Sequence, residues 1–233
     1  MPSISERLFT DEELRQMETE TVDLLEQAID DKDLDRAKKL ARRMHREFFA
    51  MHETYRDWVA SLLSFIETRL GDDAVYDALH DSLQDMVNLA ETYRRQDLRR
   101  RVQMLAAGFR GHLAPLHIEE GEDKITVAMT PCGSGGRAIL NKSYDPPKGF
   151  VKIEKAHRMT FGKNDFPVYC THCALQDIIP MEATGYPVWV IDPAEKMGEE
   201  PCRYHIYKDP DSIPAAYYER FGLKKPSPRT GTR

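Results

Sequence analysis

The first half of the chain carries apolar residues at steps of three and four positions, the spacing of one face of an α-helix. In the first segment these are Leu14, Met17, Thr21, Leu25, Ala28 and Ile29. Thr10 and Glu13 precede them in the arrangement of a capping box, in which both side chains bind backbone amides at a helix start. We therefore predict a helix that begins after Thr10 and ends near the polar run at residues 30–33.

The longest helical pattern covers residues 34–70, which contain no Gly or Pro. Its apolar stripe consists of Ala37, Ala41, Met44, Phe48, Tyr55, Trp58, Val59, Leu62, Leu63, Ile66 and Leu70. This pattern is typical of one long helix or of two helices with a bend near His52.

Further helical patterns follow Gly71, a residue that favours a helix end. Their inward positions are Val75, Leu79, Ser82, Leu83, Met86 and Ala90, then Leu98, Val102, Leu105 and Phe109. Four or five amphipathic helices with short connections predict a helical bundle over residues 8–112. Such a bundle also offers a surface for oligomer formation.

The period changes to two after Pro115, where Ile125, Val127 and Met129 alternate with smaller or polar residues as in a half-buried strand. A turn at residues 120–123 pairs this strand with residues 116–119, and residues 186–191 and 203–207 resemble two more strands. We expect an α+β domain over residues 113–225 and a disordered tail over residues 226–233, which are rich in Pro, Ser, Thr, Gly and Arg.

Charge narrows the choice of partners. The formal net charge is −6, and the densest basic run, at residues 94–101, spreads around a helix, so nucleic-acid binding is disfavoured. The sequence shows neither a signal peptide nor an apolar run of bilayer length, so we expect a cytoplasmic protein without membrane association.

All four cysteines lie after residue 130, and a cytosolic setting favours metal binding over structural disulfides. Cys170 and Cys173 have the two-residue spacer that lets both thiolates face one ion. Cys132 and Cys202, 38 and 29 residues from this pair, each follow a proline at a predicted strand edge. They complete a four-thiolate site for zinc, with an iron–sulfur cluster as the alternative.

Other interpretations of the cysteines stay open. In one alternative, the thiols are buried residues with no common role. In another, Cys170 and Cys173 form a redox pair. A thiol oxidoreductase is disfavoured because no helix clearly begins at this motif and no thioredoxin-like βαβ pattern is evident. If one cysteine is not a ligand, His157, His172 or His205 takes its place, or the position stays open for water.

A glycine loop follows Cys132 directly: Gly133, Ser134, Gly135, Gly136 and Arg137. Consecutive backbone amides in such a loop bind an anion, and the Arg137 guanidinium adds a paired donor for a carboxylate or phosphate. The simpler explanation is a tight turn around a metal ligand that needs positive φ angles.

Histidines supply candidates for proton transfer. His52 lies near the apolar stripe of the long helical segment, and His172 lies between the paired cysteines. We consider both as catalytic residues, although a helix-face histidine is more often structural. His45, His112 and His117 are weaker candidates.

Residues 169–207, which end in Pro201, Cys202, Arg203, Tyr204, His205, Ile206 and Tyr207, resemble bacterial proteins grouped with L-2-amino-thiazoline-4-carboxylate hydrolase. Cys132 and Cys173 have no counterpart that we can assign in that family. The resemblance implies only that a small-molecule hydrolase is worth testing, and no catalytic residue is carried over from it.

The sequence therefore predicts a zinc-dependent enzyme, of hydrolase type, that binds a small anionic molecule between the helical half and the glycine loop. The alternative is a non-enzymatic protein in which a structural four-cysteine zinc site stabilises the second half and the helices bind a partner.

Overall fold

A computed structural model describes residues 8–227 and shows a mixed α+β fold. The helices are α1 (Asp11–Glu18), α2 (Thr21–Asp30), α3 (Leu34–Leu70), α4 (Asp72–Ser82), α5 (Asp85–Arg94), α6 (Leu98–Arg110), α7 (Gly135–Leu140), α8 (Thr171–Thr184) and α9 (Ala216–Glu219). The strands are β1 (Leu116–Glu120), β2 (Lys124–Met129), β3 (Lys152–Ile153), β4 (Phe166–Pro167), β5 (Val190–Asp192) and β6 (Arg203–Tyr207).

The main sheet has the order β1-β2-β6-β5, and every neighbouring pair is antiparallel. The predicted β1–β2 hairpin and the predicted strand at residues 203–207 are confirmed. The strand expected at residues 186–191 is shorter and later, covering Val190–Asp192. A second sheet contains only β3 and β4.

The chain divides into two compact units, the first ending at Tyr55 and the second beginning at Arg56. The predicted boundary between residues 112 and 113 lies inside the second unit. There, the helices α4 to α6 share hydrophobic clusters with α8 and the main sheet instead of forming a separate core. Most of the predicted disordered tail, residues 228–233, lies outside the described residues.

Two hydrophobic clusters hold the second unit together. In one, Val75 and Leu79 of α4 pack with Leu175 and Ile178 of α8. In the other, α5 and α6 cover the sheet through an aromatic group composed of Tyr93, Phe109, Trp189 and Tyr204. The rings of Phe109 and Tyr204 meet edge to face, with centroids 4.5 Å apart. This contact joins α6 to β6 beside the candidate site.

The predicted capping box is confirmed, since the Thr10 hydroxyl accepts from the Glu13 amide and the Glu13 carboxylate accepts from the Thr10 amide. The helix predicted to reach residue 30 is nevertheless two helices. Thr19 adopts an extended backbone and its hydroxyl donates to the Arg15 carbonyl, which ends α1. A second break, at Leu83 and Gln84, separates α4 from α5. Six helices therefore precede β1 in the described chain, not four or five.

Residues 34–70 form the single helix α3, and Gly71, with φ of +87°, follows it as predicted. Its apolar stripe, however, is not a buried face. Most of the large side chains predicted to point inward are exposed, whereas Ala37, Arg56, Ala60 and Leu63 are buried.

The sequence pattern did not predict helix α8, which begins at Thr171, immediately after Cys170. Its apolar residues lie all around the helix, and Pro180 interrupts the pattern, so the sequence has no amphipathic period there. No helix within residues 8–227 is both long and apolar enough to cross a membrane.

Candidate metal centre

All four cysteines line one cavity of about 70 Å³ in the second unit. Cys132 follows β2, Cys170 and Cys173 lie at the start of α8, and Cys202 immediately precedes β6. None of the four forms a disulfide. The cavity wall also includes polar side chains, namely His112, Ser134, His172, Gln176, Glu200 and Tyr204, and apolar ones, including Phe109, Met129, Phe161, Phe166 and Ile191.

The two paired cysteines owe their placement to α8. Cys170 ends a short 3-10 turn and stands at the helix N-cap, and Cys173 lies one turn later, so both thiols occupy the same side of the helix start. The fully buried Thr171 donates its hydroxyl to the Val168 carbonyl, which holds this turn.

The glycines after Cys132 permit close packing around the thiols. A Cβ atom on Gly135 would lie 2.3 Å from the Cys170 sulfur, and one on Gly136 would lie 2.9 Å from the Cys132 Cβ atom. A Cβ atom on Gly133 would lie 2.2 Å from the His112 carbonyl oxygen. None of these glycines has a positive φ, so the expected positive-φ turn is wrong and the requirement is steric.

The glycine loop directs its amides at a sulfur atom. Burial raises the pKa of Cys132, and hydrogen bonds from the backbone amides of Gly136, Ser134 and Gly135 oppose this shift by favouring the thiolate. The amides that were expected to bind a substrate anion therefore face a candidate metal ligand.

The other thiols are also held in the neutral form. Burial, together with repulsion from the other three cysteine charges, raises the pKa of Cys170 well above its usual value. Burial likewise raises the pKa of Cys173 to about 11 and that of Cys202 to about 12. Redox-active Cys-X-X-Cys pairs instead have lowered pKa values, so these shifts disfavour a redox pair even though a helix does begin at the motif.

Polar side chains and one backbone amide lie close to the sulfurs of Cys173 and Cys202. His172 Nε2 lies 3.6 Å and the Tyr204 hydroxyl 3.7 Å from the Cys173 sulfur. The Ala194 amide donates to the Cys202 sulfur at 3.4 Å. The Nδ1 atom of His172 is hydrogen-bonded to the Tyr169 carbonyl, which fixes Nε2 as the nitrogen that faces Cys173.

The three histidines proposed as replacement ligands occupy different environments in the structure. His172 lines the cavity. His157 is instead the N-cap of a short turn, where its Nδ1 accepts from the Met159 amide. The ring of His205 lies between Asp192 Oδ2, at 2.9 Å, and Thr126 Oγ1, at 2.9 Å.

Ser134 and His112 form a polar pair in the cavity wall. Ser134 Oγ lies 2.6 Å from His112 Nδ1, and Ser134 is 3% exposed. Its hydroxyl also hydrogen-bonds to Tyr169 and thereby limits the rise that burial causes in the pKa of that tyrosine, which reaches about 12. His112 was only a weak candidate from sequence, because it lies 22 residues from Ser134 at the end of α6.

Arg137 has a different setting from the one expected of an anion ligand. Its guanidinium donates to the His112 carbonyl at 3.2 Å and to the Leu113 carbonyl at 3.4 Å. These bonds link the glycine loop to the segment that carries His112. Arg137 is absent from the cavity wall, so its described contacts are those of a positioning residue.

His52, the other predicted catalytic residue, belongs to the first unit. Its Nδ1 atom lies 3.2 Å from Glu53 Oε1. The structure brings together the four cysteines, Ser134, Gly135, Gly136 and His172 around the cavity, and His52 is not among the residues of its wall.

No known protein family, characterised protein or solved structure matches the chain. The resemblance to the L-2-amino-thiazoline-4-carboxylate hydrolase group therefore stays a prediction. The same holds for the metal, because among residues 8–227 no group of three His, Cys, Asp or Glu side chains is placed to hold a single metal ion.

Asp177 is a fully buried acid one helical turn after Cys173. Its Oδ2 atom accepts from the Ile191 amide at 3.0 Å and from Arg220 at 2.8 Å, whereas Oδ1 is buried and has no hydrogen-bond partner among residues 8–227. Burial outweighs the attraction of Arg220 and raises the pKa of Asp177 to about 7.

This shift predicts a pH dependence of stability. Since the carboxyl titrates near pH 4 when unfolded, the folded protein binds more protons between about pH 4 and pH 7, and the free energy of unfolding falls as pH rises through that window. Urea unfolding of the metal-free protein at several pH values measures the slope, which Asp177→Asn is expected to reduce. An equal slope in both proteins would show that Arg220 keeps the carboxylate ionised.

Proposed function

We propose that this chain is a metalloenzyme in which Cys132, Cys170, Cys173 and Cys202 hold one metal centre. The observation that carries the proposal is that these residues, from three separate parts of the sequence, all line one cavity. Unrelated buried thiols have no reason to meet in this way.

The electrostatics of the cavity support a bound cation. Four neighbouring thiols repel one another as thiolates, and burial makes each of them harder to ionise. A metal centre reverses this balance because it binds thiolates directly. The amides of residues 134–136 around Cys132, and the Ala194 amide on Cys202, are hydrogen-bond donors of the kind that stabilise metal-bound sulfur.

The arrangement favours an iron–sulfur cluster over a single ion. A tetrahedral zinc ion needs four donors about 2.3 Å from one point, whereas the four thiols line a cavity of about 70 Å³. In a [4Fe–4S] cluster with four cysteine ligands, each thiolate binds a different iron atom, so the sulfurs stand farther apart than around a single ion. Zinc is the second candidate, favoured by the Cys170–Cys173 spacing, and it needs all four sulfurs about 2.3 Å from one ion.

Ser134 and His112 support the enzymatic part of the proposal. A hydroxyl 2.6 Å from an imidazole nitrogen is the pairing in which histidine withdraws a proton from serine or returns one to a substrate. Both side chains face the cavity that the cysteines line. A small anionic substrate beside the metal centre would thus meet a group able to transfer protons. Catalysis by His52 has no such support.

Metal analysis after anaerobic purification tests the centre. We expect about four iron and four sulfide per chain with broad visible absorption that dithionite bleaches, as for a cubane cluster with four thiolates. About one zinc per chain in a colourless protein would favour the second candidate. A chain that binds neither metal after reconstitution contradicts the proposal.

Two variants separate an enzyme from a structural metal site. Ser134→Ala and His112→Asn are expected to retain the metal and to lose catalysis, and hydrolysis of L-2-amino-thiazoline-4-carboxylate is the first reaction to assay. If the wild type holds metal but neither variant changes any turnover or ligand affinity, the non-enzymatic alternative is correct.

A further inference from the structure

The exposed face of α3 carries an unbroken heptad pattern. Met44, Phe48, Met51, Tyr55, Trp58, Leu62 and Phe65 follow one another at alternating steps of four and three residues. We call these seven residues the heptad stripe. Alternating steps of this kind are the signature of a helix that packs along a second helix in a left-handed coiled coil.

The structure leaves the heptad stripe in contact with solvent. Met44 is the least exposed of the seven, at 41%, and Phe65 is the most exposed, at 60%. The opposite side of the same helix is buried at Arg56, Ala60 and Leu63. The helix therefore has one face that is buried and another whose large apolar side chains are about half exposed.

The size of the stripe matches a stable dimer. Large apolar and aromatic side chains present about 200 Å² each, and these are about half exposed, so the stripe offers on the order of 700 Å² per copy. Monomers rarely expose apolar patches above about 600 Å², and two such faces together bury on the order of 1,400 Å², within the range of specific interfaces.

We infer that α3 forms a homodimer by packing its heptad stripe against the same stripe of a second copy. A second copy is the matching occupant because it supplies an equal face with the same heptad period, and two-fold association closes on itself. Along one side of the stripe the flanking positions are Glu47, Thr54, Ser61 and Thr68, so three of these four are small and polar and place no repelling charge beside the interface.

Sedimentation equilibrium of the full chain tests the dimer with adjacent substitutions as matched controls. Wild type is expected at twice the chain mass of 26.9 kDa at micromolar concentration. Met51→Glu and Leu62→Glu place a charge in the stripe and should each weaken association by about 100-fold, as for central interface residues. Ala50→Glu, at an exposed position away from the stripe, and the uncharged exchange Ser61→Ala beside it should leave association nearly unchanged.

Circular dichroism shows whether each variant keeps its helix content, and Leu62→Glu gives an independent disruption if Met51→Glu fails to fold. A wild type that is monomeric at about 100 μM, where a standard-size interface is occupied, overturns the inference. So does equal dimerisation of the stripe variants and their controls, which would place the interface elsewhere. Metal content does not enter these measurements, so the result is separate from the proposed function.

Discussion

Replacing Cys170 with serine is expected to abolish metal binding. Cys170 is the most deeply buried of the four thiols, and repulsion from the other three cysteines contributes to the rise in its pKa, so its replacement changes a thiol that interacts with all of the others. A serine hydroxyl of nearly the same size is a poor ligand for zinc or iron in a sulfur site. Iron, sulfide and zinc contents after anaerobic reconstitution measure the effect, and we expect less than about a tenth of the wild-type metal.

Met197→Leu is the control for this variant, because Met197 lines the same cavity and the exchange conserves apolar volume. It should retain the metal. Full metal content in Cys170→Ser would remove Cys170 from the ligand set and leave the other three cysteines with an open position.

Replacing Gly135 with alanine is expected to damage the same site without touching a ligand. The added Cβ atom would lie 2.3 Å from the Cys170 sulfur, a distance at which one of the two must move. Because interiors are close-packed, an added group of this kind costs about 1–3 kcal/mol, and here the displaced atom is a candidate ligand. We expect a loss of stability of this size together with metal binding weakened by at least about tenfold.

Gly108→Ala provides the opposite case in the same chain. Gly108 lies inside α6, and apart from its two chain neighbours and the backbone of its own helix, no atom in the described part of the chain stands within 4 Å of an added Cβ atom. Alanine is the better helix former by about 1 kcal/mol, so this variant should be slightly more stable. Urea unfolding and metal analysis of both variants make the comparison. If Gly135→Ala, like Gly108→Ala, loses neither stability nor metal, the proposed close packing of the glycine loop on Cys170 is incorrect.

The sequence predicted those parts of the fold whose local signals agree with the environment. The capping box at Thr10 and the hairpin before Met129 depend on neighbouring residues, and both formed as expected. The prediction that the apolar face of α3 is buried was wrong, because periodicity shows that a helix is amphipathic but not what covers its apolar side. Phe48 and Leu62 carry the signal of a core and are exposed. Helix α8 was not predicted for the opposite reason. It is buried on nearly every side and has no polar face that would give its sequence a helical period of apolar residues.

The residues of the candidate site were likewise only partly predictable from the sequence. The Cys170–Cys173 pair was a candidate because its spacing is local, and Cys132 and Cys202 were added because the chain has few cysteines. The structure places all four in the wall of one cavity. Ser134 was singled out with the glycine loop, but its pairing with His112 depends on the packing of α6 against that loop, which no spacing records. Arg137 looked like an anion ligand because a guanidinium next to glycines is typical of one. In the fold its described hydrogen bonds go to backbone carbonyls.

The separation of the cysteines along the chain bears on how the protein matures. Cys132 and Cys202 are 70 positions apart, so the proposed metal site is enclosed only after β2, α8 and β6 have come together, and contacts between such distant segments form slowly. A chain that folds before it binds a metal brings four protonated thiols into one cavity of the second unit. Until that step, the same thiols are accessible to oxidants, and maturation favours conditions that keep cysteine reduced.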